Sequence, residues 1–102
     1  MEKRRQHYDL KAIQSAMSSV NTMYLTLTAR HGIKRACLSL DDAWRVIQGL
    51  SAGNFYKSMT THADSRVWQD VYHAEFNGRM LYLKFQQQDK YFVISFKERK
   101  DE

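Results

Sequence analysis

The chain has 102 residues, 43% of them hydrophobic and 13% aromatic, which predicts one ordered domain and excludes intrinsic disorder. No apolar run approaches the roughly 20 residues of a membrane helix, no secretory signal opens the chain, and the single Cys37 excludes an internal disulfide, so a reducing cytoplasm is expected. Sixteen Lys and Arg against eleven Asp and Glu give a formal charge of +5, which suits a polyanionic partner, nucleic acid or an acidic protein, without demanding one.

Leu10, Ile13, Met17 and Val20 recur at helical spacing, and Asp9 suits the first turn of the helix they predict. Asn21 breaks it. Met23 and Leu25 then alternate with Thr22 and Thr26, the pattern of a short strand. Thr28 is the expected N-cap of a second helix, whose apolar stripe is Ala29, Gly32, Ile33, Ala36 and Cys37. Gly32 costs that helix about 1 kcal/mol relative to Ala, so either it permits close packing or the helix is weak. Cys37 is expected as a buried small hydrophobe, because no His or cationic partner can be assigned to it. Ser39 and Asp42 have capping-box spacing ahead of a third helix with Ala43, Val46, Ile47 and Leu50 on its apolar face. Gly49, Ser51 and Gly53 close that helix.

From Phe55 the period changes from 3.6 to 2, predicting strands over 55–62, 67–74, 80–87 and 91–97. Asn77-Gly78 signals a hairpin between the second and third, and Asp89-Lys90 a turn between the third and fourth. Short connections imply an antiparallel meander with the helices packed on one face, an α+β fold. Leu81, Leu83 and Phe85 are predicted to face the core, as are Phe92, Ile94 and Phe96. Tyr91, Val93, Ser95 and Lys97 are then left on the other side. Tyr82, Lys84 and Lys97 are therefore expected on one open face. The first two strands are mixed on both sides, so periodicity leaves the directions of Lys57 and Gln69 undecided.

The plain reading of these polar residues is the solvated face of a half-covered sheet. The chemical reading is that a phenol between two ammonium groups suits phosphate chemistry. Lysines can neutralise a phosphorane oxyanion, and cations can lower the pKa of a tyrosine so that it relays a proton. Exposed aromatics can also stack on unpaired bases. His62 and His73, near the ends of the first two strands, could act as acid and base, but nothing places them on the same face. His7 and His31 carry no readable signal. Asp70 is expected to pair with a neighbouring Lys. No CxxC or HxxxH spacing suggests zinc, and no cofactor is expected.

FYKSMTT (55–61), WQDVY (68–72), YLK (82–84) and VISFKE (93–98) resemble the MqsR family of motility quorum-sensing regulator toxins. MEKR (1–4), His7 and DDAWRVIQGL (41–50) are compatible with that family at matching positions. The resemblance implies a RelE/YoeB-like fold and a bacterial mRNA endoribonuclease that cleaves GCU-type sites without the ribosome. It also implies neutralisation by an MqsA-like antitoxin, which binds zinc in one domain and DNA with another. Operator DNA would be reached only through that complex, and no membrane is involved. The family's proposed catalytic residues fall on Lys57, Gln69, Tyr82 and Lys97, with Lys84 and His62 as expected RNA contacts. His62 departs from the family, which more often has Tyr there. The implied reaction is metal-free attack of the ribose 2′-OH, leaving 2′,3′-cyclic phosphate and 5′-hydroxyl ends. Which group is the general base stays open. The rival reading is a non-catalytic RNA- or protein-binding module on the same fold.

Overall fold

The computed structural model describes residues 1–99. A two-residue strand, β1 (Glu2–Lys3), precedes helix α1 (Leu10–Ala16), strand β2 (Tyr24–Leu25) and helices α2 (Leu27–Arg35) and α3 (Leu40–Gln48). Strands β3 (Phe55–Thr60), β4 (Trp68–Phe76), β5 (Arg79–Gln88) and β6 (Lys90–Glu98) follow. All six strands form one sheet in the order β1-β3-β4-β5-β6-β2. The antiparallel meander expected from the period and the turns is β3 to β6. β1 adds antiparallel to β3, and β2 adds parallel to β6, so the whole sheet is mixed. The α+β class holds.

Local chemistry accounts for most of these boundaries. Asn77 and Gly78 both have positive φ, 51° and 77°, as a two-residue hairpin of the type I′ kind requires. The capping box of α3 forms: Ser39 Oγ accepts from Asp42 N–H, and the Asp42 carboxylate accepts from Ser39 N–H, both at 3.0 Å. The first helix stops at Ala16, short of Val20, which instead opens a single 3-10 turn. The N-cap of α2 is Thr26, not Thr28. Its Oγ1 accepts from Ala29 N–H at 3.1 Å and donates to the Ile94 carbonyl at 2.8 Å, so a bond to β6 decides between the two threonines.

Gly32 turns out to be a close-packing glycine. A Cβ there would lie 1.8 Å from the Phe96 carbonyl oxygen, so α2 rests directly on the backbone of β6. Cys37 is exposed, contrary to the buried position expected of it. It occupies the left-handed position (φ 59°) that ends α2, where Leu38 N–H bonds Ile33 O and Cys37 N–H bonds Lys34 O. The buried stripe therefore ends at Ala36.

The core joins Ile13 and Met17 of the first helical segment, Ile33 of α2, and Ala43 and Ile47 of α3 to Leu81, Leu83, Phe85, Val93 and Phe96 of the sheet. Leu81, Leu83 and Phe85 face inward as expected. The β6 register differs. Lys84 pairs with Ser95 but Phe85 pairs with Val93, leaving Ile94 as a bulge. Val93 is consequently buried, while Phe92, opposite Gln86, lies on the open side and Ile94 is partly exposed. Beyond the bulge the alternation recovers, with Phe96 in and Lys97 out.

Among the described residues Asp70 pairs with no lysine. Its wholly buried carboxylate accepts from the backbone N–H groups of His7 and Tyr8 at 2.9–3.1 Å and from the Ser58 hydroxyl at 2.6 Å. Three donors replace the water a buried carboxylate would otherwise need. The contact also pins the segment ahead of α1 against the sheet, within reach for β1 to pair with β3.

Candidate active site

Strand register decides what shares the uncovered face. Ser58, Asp70 and Phe85 lie in one cross-strand row on the covered side, so the next row, Lys57–Val71–Lys84, points the other way. The row beyond it is His73–Tyr82–Lys97. Gln69 follows the parity of Val71 and His73, and its amide donates to Gln86 Oε1 at 2.7 Å. Lys57, Gln69, Tyr82, Lys97 and Lys84 thus occupy one face of four adjacent strands. Val71, between Lys57 and Lys84, is wholly buried although it is on that face, so the cations stand over an apolar floor.

Tyr82 is the centre of the group. The Lys97 ammonium lies 5.1 Å from its ring centroid and that of Lys84 5.8 Å. Lys57 is near enough to act on both Tyr82 and Lys84. Cations were expected to lower the phenol's pKa. Instead burial raises it, outweighing the opposing charge of Lys57, so Tyr82 keeps its proton at neutral pH. Burial, with Lys97 and Lys57 adding to it, lowers the pKa of Lys84. Gln69 is held from behind, since Gln86, itself buried, donates onward to Gln88 at 3.1 Å.

Lys57 is not free. Its ammonium pairs with Glu2 of β1, and that hydrogen bond is the largest cause raising its pKa. Glu2 is well exposed, and such rim ion pairs contribute little net stability, so an arriving phosphate can displace it. His62 stands in the exposed bend after β3, outside the group formed by the other five expected residues.

Two further residues share the face: Tyr56, and His73, a candidate acid or base whose face periodicity left undecided. Tyr56 is the extra residue of a second bulge, between Phe55 and Lys57, and its exposed ring carries Lys57 Nζ at 5.4 Å from the centroid. His73 stacks on that ring, with centroids 4.4 Å apart and planes 21° from parallel. A sequence signal for His73 existed. A two-residue turn at Asn77-Gly78 pairs Phe76 with Arg79, and counting back from there sets His73 opposite Tyr82. Among the described residues, no three His, Cys, Asp or Glu side chains gather as metal ligands, and no helix is long and apolar enough to cross a membrane.

Residues 5–98 match the family described as motility quorum-sensing regulator, toxin of MqsA. The chain is also 35% identical over 99 residues to the mRNA interferase toxin MqsR of Escherichia coli strain K12, an alignment that covers 97% of this chain and 100% of that relative.

Proposed function

Because the chain belongs to the motility quorum-sensing regulator family of toxins, we propose that it is an mRNA endoribonuclease whose active site is the open face of β3 to β6. The observation that carries this reading is the convergence there of three lysines, a protonated tyrosine and a braced glutamine. Those groups suit metal-independent transesterification. The 2′-oxygen attacks the adjacent phosphorus, the bond from phosphorus to the 5′-oxygen breaks, and the products are a 2′,3′-cyclic phosphate and a 5′-hydroxyl.

In this mechanism Lys57 and Lys97 neutralise the non-bridging oxygens as charge builds on them, with Lys84 adding to the same field. Gln69 orients the phosphate or the 2′-OH by hydrogen bonds, since an amide cannot relay protons at neutral pH. Tyr82, held protonated by burial, donates to the departing 5′-oxygen. His62, on the rim, contacts RNA beyond the reacting phosphate.

Cleavage of free mRNA at GCU-type sites belongs to the same proposal, as does neutralisation by a zinc- and DNA-binding MqsA-like antitoxin in the cytoplasm. Family membership supports both. Purified chain mixed with a GCU-containing RNA in EDTA is expected to cut it. RNA that is bound but left intact would favour the non-catalytic binding module instead.

A further inference from the structure

His73 sits among the proposed catalytic groups and has no part in the reaction so far. It lies directly opposite Tyr82 in the β4–β5 ladder, with ring centroids 5.8 Å apart. Its other side is packed on Tyr56, and Asn54 donates to its backbone carbonyl at 3.0 Å, tying the strand down at this residue. The imidazole is thus braced on one flank and beside the phenol on the other. Half-burial leaves part of the ring open to the face where RNA would lie.

We infer that His73 is the general base of the cleavage, taking the 2′-OH proton while Tyr82 supplies the proton to the leaving oxygen. This inference rests on the endoribonuclease reading and deepens it.

The groups around His73 support the assignment. From β3 come Tyr56 and Lys57, from β5 Tyr82, from β6 Lys97 across the Tyr82 ring, and Arg99 just beyond β6. Glu75, exposed, follows on the same side of β4. Burial first, and Arg99 second, lower the imidazole's pKa, so the ring is neutral at pH 7 and able to accept. Tyr82 is shifted the other way, up, by burial. A pair of neighbouring groups pushed apart in this sense has the signature of a base and its acid. Lys84 is the rival base, but its lowered pKa starts from 10.5 against 6.5 for the imidazole.

The balance closes. The 2′-OH proton moves to the imidazole, the bond from the 2′-oxygen to phosphorus forms as that to the 5′-oxygen breaks, and the 5′-oxygen takes the phenolic proton. Exchange through water then returns a proton from imidazolium to phenolate.

Single-turnover cleavage of a GCU-containing RNA in EDTA, followed from pH 5 to 9, tests the assignment. Wild type should gain rate with unit slope up to an apparent pKa below the ordinary 6.5 and then level off. His73→Gln should lose about 100-fold or more at pH 7, the usual contribution of a positioned general base. It should also lose the acidic limb, while binding a 2′-deoxy-blocked RNA as wild type does. Near-wild-type cleavage by His73→Gln, or an acidic limb that persists in it, would overturn the proposal. So would loss of RNA binding in proportion to the lost rate, which would make His73 a stacking platform. If His73→Gln fails to fold, as its melting would reveal, the wild-type profile still decides: no acidic limb, no imidazole base. A wild-type chain that cuts no RNA would defeat the endoribonuclease reading itself, and this assignment with it.

Discussion

Lys57→Met and Tyr82→Phe are each expected to leave a folded protein that still binds RNA but cleaves it about 100- to 1000-fold more slowly, the usual cost of removing one electrostatic contact to a transition state. The two substitutions are chosen to delete chemistry and keep shape. Met preserves most of the aliphatic stem that helps cover Val71 and removes only the ammonium. Glu2, which loses its partner, is exposed and can be hydrated. Phe preserves the ring between Lys84 and Lys97 and removes only the hydroxyl. Rates measured with saturating protein, together with binding to an uncleavable 2′-deoxy RNA, separate the chemical step from affinity. The double variant should be much less than additive, because residues acting on one transition state fail as a unit. Cleavage within threefold of wild type by either single variant would remove that residue from the mechanism.

Gly32→Ala is expected to destabilise the protein by about 3 kcal/mol or more, at or above the upper end of ordinary overpacking. Helix propensity alone predicts the opposite sign, a gain of about 1 kcal/mol. Packing wins here because the new Cβ would sit 1.8 Å from Phe96 O and 2.9 Å from Phe96 C, both backbone atoms that no side-chain rotation can clear. Either α2 lifts off β6 or the strand shifts. A loss of that size should lower the thermal midpoint by roughly 12–24 °C in a domain of about this length. Lys97 follows Phe96 directly, so cleavage should weaken as well. A midpoint equal to or above that of wild type would mean that α2 does not press on β6.

Much of the fold was legible because local chemistry decided it. The Ser39–Asp42 box starts α3, and Asn77-Gly78 turns the hairpin. That same turn sets the pairing of β4 with β5, so the shared face of Gln69, Val71 and His73 with Gln86, Lys84 and Tyr82 was in principle available to counting. Two bulges were not. Straight alternation through Ile94 wrongly sends Phe92 inward, and in β3, mixed on both faces, alternation reveals neither the bulge at Tyr56 nor the direction of Lys57. Bulges answer to sheet twist and to what packs above, not to the residues on either side.

Long-range polar contacts were equally hidden. Nothing near Asp70 in the chain says that the N–H groups of His7 and Tyr8 will come to it. Likewise, only the Ile94 carbonyl distinguishes Thr26 from Thr28 as a cap. The same holds for Glu2, which reaches Lys57 only because β1 pairs with β3. For the candidate site, the four catalytic assignments came from resemblance to a family. Strand register supplies their common face and brings His73 into it. Burial outweighs charge at Tyr82, a balance no linear reading of YLK contains.

In the proposed reaction this face directs a ribose 2′-oxygen onto its neighbouring phosphate. The most direct measurement is the end chemistry of RNA fragments made in EDTA, from a substrate with one GCU site and from its twin carrying a 2′-deoxy nucleotide at the cut. The expected result is 2′,3′-cyclic phosphate and 5′-hydroxyl ends from the first and no cleavage of the second. Cutting of the deoxy twin at that site, or 5′-phosphate ends from either RNA, would contradict it.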